Sequence, residues 1–401
     1  MKMDVSFQRK VDRVAGTALC RALSWLPRAK RRPPKPFTPK KILVILLSEM
    51  GALVLAKPMF RRIRQKYPDA STFALVFQQN KEVLDLLGEV SQENLFTVRN
   101  TTLSHFLGDS FRAIRAMRRQ EIDTVIDCEL FSRASAIFSL MSRAETRAGF
   151  HPHTQEGLFR GEFINRPVLY NPYLHISRQF LTLVEAIEPS GVPTVKRRSD
   201  DDDLSIARLE LDRDEIESVS QRLESDFPQV KGKRVIFIYA GGGLLPIRAW
   251  PLAHFSRLAE LLAREDFIIA IIGLDRDKDT AGTIVSHCQG SNVIDLTGYT
   301  KTVRELVILF HRASLLITND GGPGHFASLT PLPSIVLYGP ETPALYGPLD
   351  DNSVNLYSQL SCSPCLTAYN HRNSPCDGNN VCLQSIHPDT VVKQAMSLLN
   401  R

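Results

Sequence analysis

From residue 41 onward, short unbroken apolar runs alternate with stretches whose apolar side chains recur every three or four positions. The runs fall at 42–47, 72–76, 124–126, 235–239, 268–272, 315–318 and 334–337. Their length and continuity predict strands buried on both faces. Residues 253–264 and 303–313 are examples of the intervening helical pattern. Such alternation predicts parallel sheets with covering helices, the α/β class. A polar break, VPTVKRRSDDDDLS at 192–205, divides the pattern roughly in half. Its acidic run, Asp200 to Asp203, reads as a solvated linker and not a metal site. A chain of 401 residues exceeds one simple core. Residues 41–195 and 231–401 are therefore assigned to two α/β domains, joined by 196–230. Folds of this kind bind ligands at the carboxyl ends of their strands.

A separate pattern precedes the first strand. Val11, Val14, Ala15, Ala18, Leu19, Ala22, Leu23 and Leu26 share a helical stripe, with Arg13, Thr17, Arg21 and Arg28 off it. RAKRRPPKPFTPKK follows, too rich in proline to continue the helix. Residues 1–41 hold twelve Lys or Arg and two Asp, a balance of +10, so the remainder carries 6 − 10 = −4. Residues 1–40 thus read as a basic amphipathic helix and tether. With Trp25 and the polybasic follow-on, this segment suits an anionic membrane surface. A helix packed on its own domain or on a partner suits the same pattern. Nucleic acid is not expected, because no binding motif accompanies the charge. No run approaches the ~20 apolar residues of a membrane span, and Arg21 interrupts any signal peptide. A cytoplasmic protein is expected, peripheral on the inner membrane if the helix binds lipid.

Candidate chemistry concentrates at strand ends. The run at 315–318 leads into Asn319, Asp320, Gly321, Gly322, Pro323 and Gly324, with a helix expected near His325. Glycines there allow close approach of backbone to a ligand, and exposed amides attract anions. The loop YAGGGLLPIRAWP places Gly241, Gly242 and Gly243 before Arg248, a forked donor suited to a diphosphate. A third run ends at Asp275, a candidate acceptor for ribose hydroxyls. Asp275, Asp277 and Asp279 alternate as a solvated helix start would. One glycine-rich turn is usually only a turn, but three at successive strand ends of one domain point to a ligand. The chain lacks G-x-G-x-x-G after a strand, G-x-x-x-x-G-K-[ST] and G-x-S-x-G. Dinucleotide, P-loop and common hydrolase chemistries lose ground accordingly.

The tract TNDGGPGHFASLTPLPSIVLYGPETP at 318–343 resembles the D-[ST]-G-P-x-H-x-A…P…[FY]-G-P-T-x-P signature of glycosyltransferase family 9, the ADP-heptose:lipopolysaccharide heptosyltransferases. KILVILLSEMGALVLAKPMFRRIRQKYPDA, RAGF at 147–150, IRAWPLAHFSRLAELL and DLTGYTKTVRELVILFHRASLLITND extend the resemblance over most of 41–385. It implies a GT-B architecture, two Rossmann-like domains facing a central cleft. The N-terminal domain would take a lipid-linked saccharide acceptor and the C-terminal one a nucleotide-sugar, ADP-heptose first. It also implies inversion at the anomeric carbon, with no metal and no cofactor. Position by position, Asp320, Gly321 and Gly322 would hold the diphosphate and sugar, with His325 nearby. Arg248 stands where the family usually has Lys, and Asp275 where it usually has Glu. Ser48, Gly51 and Arg147 match acceptor-side positions.

One position departs. The family's Ser-x-x-Gly-Asp carries its proposed base on the Asp, but Ser48-Glu49-Met50-Gly51-Ala52 ends in Ala52. Displacement needs a group to take the acceptor proton, and Glu49 is the only acid in the loop. The resemblance therefore leaves three readings: Glu49 as base, a base elsewhere, or a nucleotide-sugar-binding protein without turnover. A different nucleotide-sugar is the alternative within the enzyme class. Cys362, Cys365, Cys376 and Cys382 are spaced C-x2-C-x10-C-x5-C. Zinc, reduced thiols and a redox disulfide all remain open for them, while Cys20, Cys128 and Cys288 read as packing residues. His151 and His153, with Arg147 and Arg160, read either as an acceptor-cleft lining or as a surface loop.

Overall fold

The computed structural model describes residues 5–26, 38–47, 49–130, 132–151, 159–188, 196–200, 202–243, 245–288, 290, 292–369 and 372–400. The chain divides into two compact units, Met1–Leu204 and Ser205–Arg401.

The first unit is built on six parallel strands in the order β3-β2-β1-β4-β5-β6. They are β1 (Lys41–Ile45), β2 (Ser71–Phe77), β3 (Leu95–Val98), β4 (Thr124–Asp127), β5 (Thr146–Phe150) and β6 (Arg166–Val168). Its helices are α1 (Val5–Val11), α2 (Thr17–Leu23), α3 (Met50–Leu55), α4 (Lys57–Lys66), α5 (Lys81–Leu87), α6 (Leu103–Arg119), α7 (Arg133–Met141) and α8 (Ile176–Glu185). Strand β1, KILVI, is buried from its second residue, as expected of a central strand covered on both faces.

The second unit repeats the plan with order β12-β11-β10-β7-β8-β9. Its strands are β7 (Val235–Tyr239), β8 (Ile268–Gly273), β9 (Val293–Thr297), β10 (Leu315–Asn319), β11 (Ser334–Tyr338) and β12 (Ser353–Tyr357). The helices are α9 (Arg213–Asp226), α10 (Leu252–Ala263), α11 (Lys278–His287), α12 (Val303–Phe310), α13 (Gly322–Ala327), α14 (Pro343–Tyr346), α15 (Val381–Gln384) and α16 (Pro388–Leu399). Within the stretch 196–230, α9 packs beside α12 through the pairs Arg304–Glu215 and Arg222–Glu305.

All seven runs read as strands are strands. The pattern missed five strands, β3, β5, β6, β9 and β12; β5, TRAGF, escaped because Arg147 and Gly149 break the apolar run although every residue is buried. The N-terminal helix packs on its own unit, but not through its expected stripe. Asp12 accepts the amides of Arg133 and Ala134 at 3.0 and 2.9 Å, capping α7. Gly16 lets Arg133 approach, and fully buried Cys20 packs with Ala136, Leu140 and Phe163. A polar and small-residue seam is buried, and most of the apolar stripe faces outward, with Val11 and Leu23 half-buried and Leu23 against the Cys20 cluster.

Candidate functional site

In the second unit, the three expected loops leave the carboxyl ends of β10, β7 and β8, which are adjacent strands. Asn319, the last residue of β10, joins two of them. Its buried Oδ1 accepts the Trp250 amide at 2.9 Å, and Nδ2 donates to the Ala240 and Gly241 carbonyls at 3.1 Å each. Trp250 is anchored in turn, its Nε1 donating to the carbonyls of Leu383 and Ile386. Both ends of the loop, at Gly241 and Trp250, are therefore held on the residue before Asp320.

Four charged side chains, Arg248 among them, converge here. Arg248 Nη2 donates to Oε1 of Glu341 at 3.0 Å, and its Nε lies 3.8 Å from Oδ2 of Asp320. Arg372 Nε stands 3.5 Å from the same Glu341 oxygen, its guanidinium over the Tyr346 ring. Asp320, Arg248 and Glu341 are buried. Burial pushes the Asp320 carboxyl up despite Arg248, which it shares with Glu341. Burial works against the Arg248 charge too, but Glu341 and Asp320 more than restore it, and its pKa is raised. Two acids and two guanidinium groups leave the cluster formally neutral. Oδ2 of Asp320 is buried and accepts no hydrogen bond among the described residues. A ligand hydroxyl would satisfy it.

The glycines divide by cause. Gly243 has φ +62°, a left-handed backbone that favours glycine. A Cβ on Gly242 would stand 2.8 Å from Pro246 Cα, so loop packing accounts for that position. Gly321 is different: its φ is extended, and a Cβ there would meet nothing nearer than 3.9 Å. Neither backbone conformation nor packing requires a glycine there. Helix α13 starts at Gly322 and not near His325, so His325 is buried in its last turn. Asp275 is mostly exposed, lies over Gly298 and pairs with Lys278 at 3.1 Å; that bond and charge hold its carboxyl below the usual range.

In the first unit, the loop after β1 is clamped. The Leu47 amide donates to Glu129 Oε1 at 2.6 Å, and its carbonyl accepts from Asn80 Nδ2 at 2.6 Å. Glu129 is fixed by Asp127 and Arg160: its amide donates to Asp127 Oδ1, and its carbonyl accepts from Arg160 Nη1 at 2.9 Å. Asp127 also pairs with Arg160 Nη2 and accepts from Ser135 Oγ. Glu49 follows as the residue capping α3, with extended backbone and a carboxylate that makes no cap bond. Gly51 is buried within α3 and Ala52 half-buried beside it. Ser48 and His153 lie outside the described residues, and His151 is half-buried.

Arg147 and Arg160 do not line an acceptor cleft. Arg147 is 1% exposed and donates to the carbonyls of Phe163 and Ala144, tying down the β5–β6 connection. Arg160 is buried on Asp127. Reading the sequence missed Asn80 and Glu129, and it placed Asn319 and Glu341 in the candidate loops without giving either a role. The available signal was position: Asp127 and Glu129 flank Cys128 at the end of an apolar run, and Glu341 follows the next strand after Asp320.

The seven cysteines are thiols. Cys365 Sγ lies 3.0 Å from Ser374 Oγ, and Cys376 Sγ 3.7 Å from Asn380 Oδ1. Buried Cys382 has its pKa raised, chiefly by desolvation. Among the described residues, no group of three His, Cys, Asp or Glu side chains is placed to hold a metal ion.

A family model, glycosyltransferase family 9 (heptosyltransferase), matches residues 110–374, about two-thirds of the chain. The chain belongs to glycosyltransferase family 9. Within this family it is 24% identical over 365 residues to lipooligosaccharide heptosyltransferase 2 of Haemophilus ducreyi, covering 90% of this chain and 99% of that protein. Among solved structures, a family 9 glycosyl transferase of Veillonella parvula matches with TM-score 0.70 at 20% identity, over 90% of this chain and 97% of that one. ADP-heptose lipopolysaccharide heptosyltransferase II of E. coli matches with TM-score 0.69 at 20% identity, over 90% and 98%. These likenesses show the two-domain α/β GT-B fold for this family 9 member.

Proposed function

We propose that this glycosyltransferase moves heptose from ADP-heptose to a lipid-linked saccharide such as the lipopolysaccharide inner core, with inversion. Family membership supports the reaction class, and the names of its relatives support donor and acceptor. The observation that carries the donor site is the Asp320–Gly321–Gly322 turn. It has open space on the side of Gly321 where a side chain would stand, beside a buried carboxylate oxygen that accepts no hydrogen bond among the described residues. Amides at Gly321 and Gly322 would meet the diphosphate, Asp320 would accept from a donor hydroxyl, and Asp275 would meet the ribose. Preorganised donors of this kind are worth several kcal/mol as leaving-group charge develops. Arg248, already engaged by Glu341, offsets the two carboxylates that would otherwise repel a diphosphate, and His325 lies buried in the helix that follows the turn.

In the transfer step the acceptor hydroxyl oxygen bonds to the anomeric carbon as the bond from that carbon to the diphosphate breaks. ADP departs and the acceptor proton passes to Glu49. The acceptor is borne on lipid, so the enzyme works at the cytoplasmic face of the inner membrane. Ala52 at the usual base position favours one second reading, a homologue that binds nucleotide-sugar without turnover. Mass spectrometry of a lipopolysaccharide core acceptor, incubated with ADP-heptose or with other nucleotide-sugars, separates the readings. A heptose mass increment with ADP-heptose supports transfer. Donor binding with no increment from any nucleotide-sugar supports the second reading.

A further inference from the structure

We infer that the outward side of the helical layer formed by α1–α2 and α6 is a docking face for an anionic lipid bilayer. Both helical segments are tied together through α7 and the turn before α6. Ala113 and Met117 of α6 and Phe138 of α7 pack on the same sheet face, with Leu43, Ile45 and Val125. On its other flank α7 presents Ala136 and Leu140 to Cys20 of α2. Gln8 and Asn100 exchange two hydrogen bonds of 3.3 Å, joining α1 to the turn before α6. The residues of both segments that stay exposed are those turned away from these contacts.

What they expose is apolar and cationic together. Trp25 is 90% exposed and Phe111 68%; Val14, Leu19, Leu26 and Leu107 are exposed as well. These six are half of the twelve large apolar side chains exposed among the described residues, a concentration that marks an interaction surface. Leu107, Phe111 and Arg115 follow one another at four-residue spacing on α6. Lys10, Arg13, Arg21, Arg112, Arg115 and Arg119 are exposed around them. The two segments hold only two carboxylates, and both are turned to other work. Asp12 caps α7, and buried Asp109 binds Arg99 and Arg112. In sequence, seven further Lys or Arg follow between positions 28 and 41. Apolar side chains set among cations, with exposed Glu121 beyond the end of α6 and Glu162 beside Ser24 as the neighbouring acids, fit an anionic bilayer surface. A nucleic acid would not withdraw the aliphatic groups from water.

The inference deepens the proposed reading, since a lipid-borne acceptor lies at such a surface, but vesicles lacking donor and acceptor test it separately from transfer. Full-length protein is mixed with phosphatidylcholine vesicles, with or without phosphatidylglycerol, and followed by co-sedimentation. Binding is expected only with phosphatidylglycerol, weakening with salt, with the emission of Trp25 shifting to the blue. Trp250, the other tryptophan, is already buried. The double variants W25A/L26A and L107S/F111S, and the triple R112Q/R115Q/R119Q, should each lose about tenfold or more in partitioning. ADP binding and circular dichroism should stay unchanged in all three. Absence of binding to either vesicle type overturns the inference and leaves a protein partner as the occupant. Wild-type partitioning by the α6 variants overturns the joint face.

Discussion

Replacing Arg248 by Met removes the charge between two buried carboxylates while keeping most of the side-chain volume. Breaking a buried pair by deleting one partner costs about 3–5 kcal/mol, because the remaining charge is left uncompensated. The geometry selects the lower end of that range. Glu341 keeps Arg372 at 3.5 Å, and Asp320 loses a partner that stood at 3.8 Å, beyond hydrogen-bond reach. A cost near 3 kcal/mol moves a urea midpoint by about 1.5 M at a slope of about 2 kcal/mol/M. Trp250, inside this unit, reports the transition in a Trp25→Phe background. Glu341→Gln is the control: it keeps an acceptor for Arg248 and should cost only about 1 kcal/mol.

The pH dependence has a definite sign. Burial already raises the Asp320 carboxyl, and loss of Arg248 raises it further. A carboxyl whose folded pKa exceeds its unfolded value favours the fold when protonated and loses that advantage as pH rises. The Arg248→Met deficit should therefore shrink as pH falls from 7 toward the raised pKa. A deficit below about 1 kcal/mol, or one independent of pH, would refute the reasoning that Arg248 compensates buried charge.

Three further outcomes are expected. Asn319→Ala removes the bonds to Trp250, Ala240 and Gly241; it should weaken ADP binding about tenfold or more by calorimetry, and unchanged affinity would detach that staple from the site. Glu129→Ala should lower kcat by about tenfold or more by loosening the Leu47 clamp, whereas Glu129→Gln, which keeps an acceptor oxygen, should stay near wild type. Equal losses in both would mean that the charge matters and not the clamp. Exposed Cys362 and Cys376 should be alkylated first in the native protein, and buried Cys20 and Cys128 only on unfolding. Protection of all four C-terminal cysteines would point to a bound metal.

The fold was legible because parallel strands buried on both faces write themselves as continuous apolar runs. β5 escaped that rule because it satisfies Arg147 internally with main-chain carbonyls. The loops proposed to bind the donor were legible as glycines at strand ends, and the sheet makes those ends neighbours. The roles of the charged residues were less so. Arg147 and Arg160 look like cleft residues in sequence, yet burial and partners decide otherwise. Arg248 looked like a cation awaiting phosphate, but Glu341, more than ninety residues away, engages it. The N-terminal helix showed its amphipathic period but not its orientation. Asp12, Gly16 and Cys20 fit α7 more closely than the apolar stripe does.

The most direct test of the account compares wild type with Glu49→Gln in steady-state transfer from ADP-heptose to a lipopolysaccharide core acceptor, with donor affinity measured alongside. A loss of about 10²-fold or more in kcat at unchanged donor affinity is the predicted result for the group that takes the acceptor proton. Equal kcat in the two proteins would contradict it.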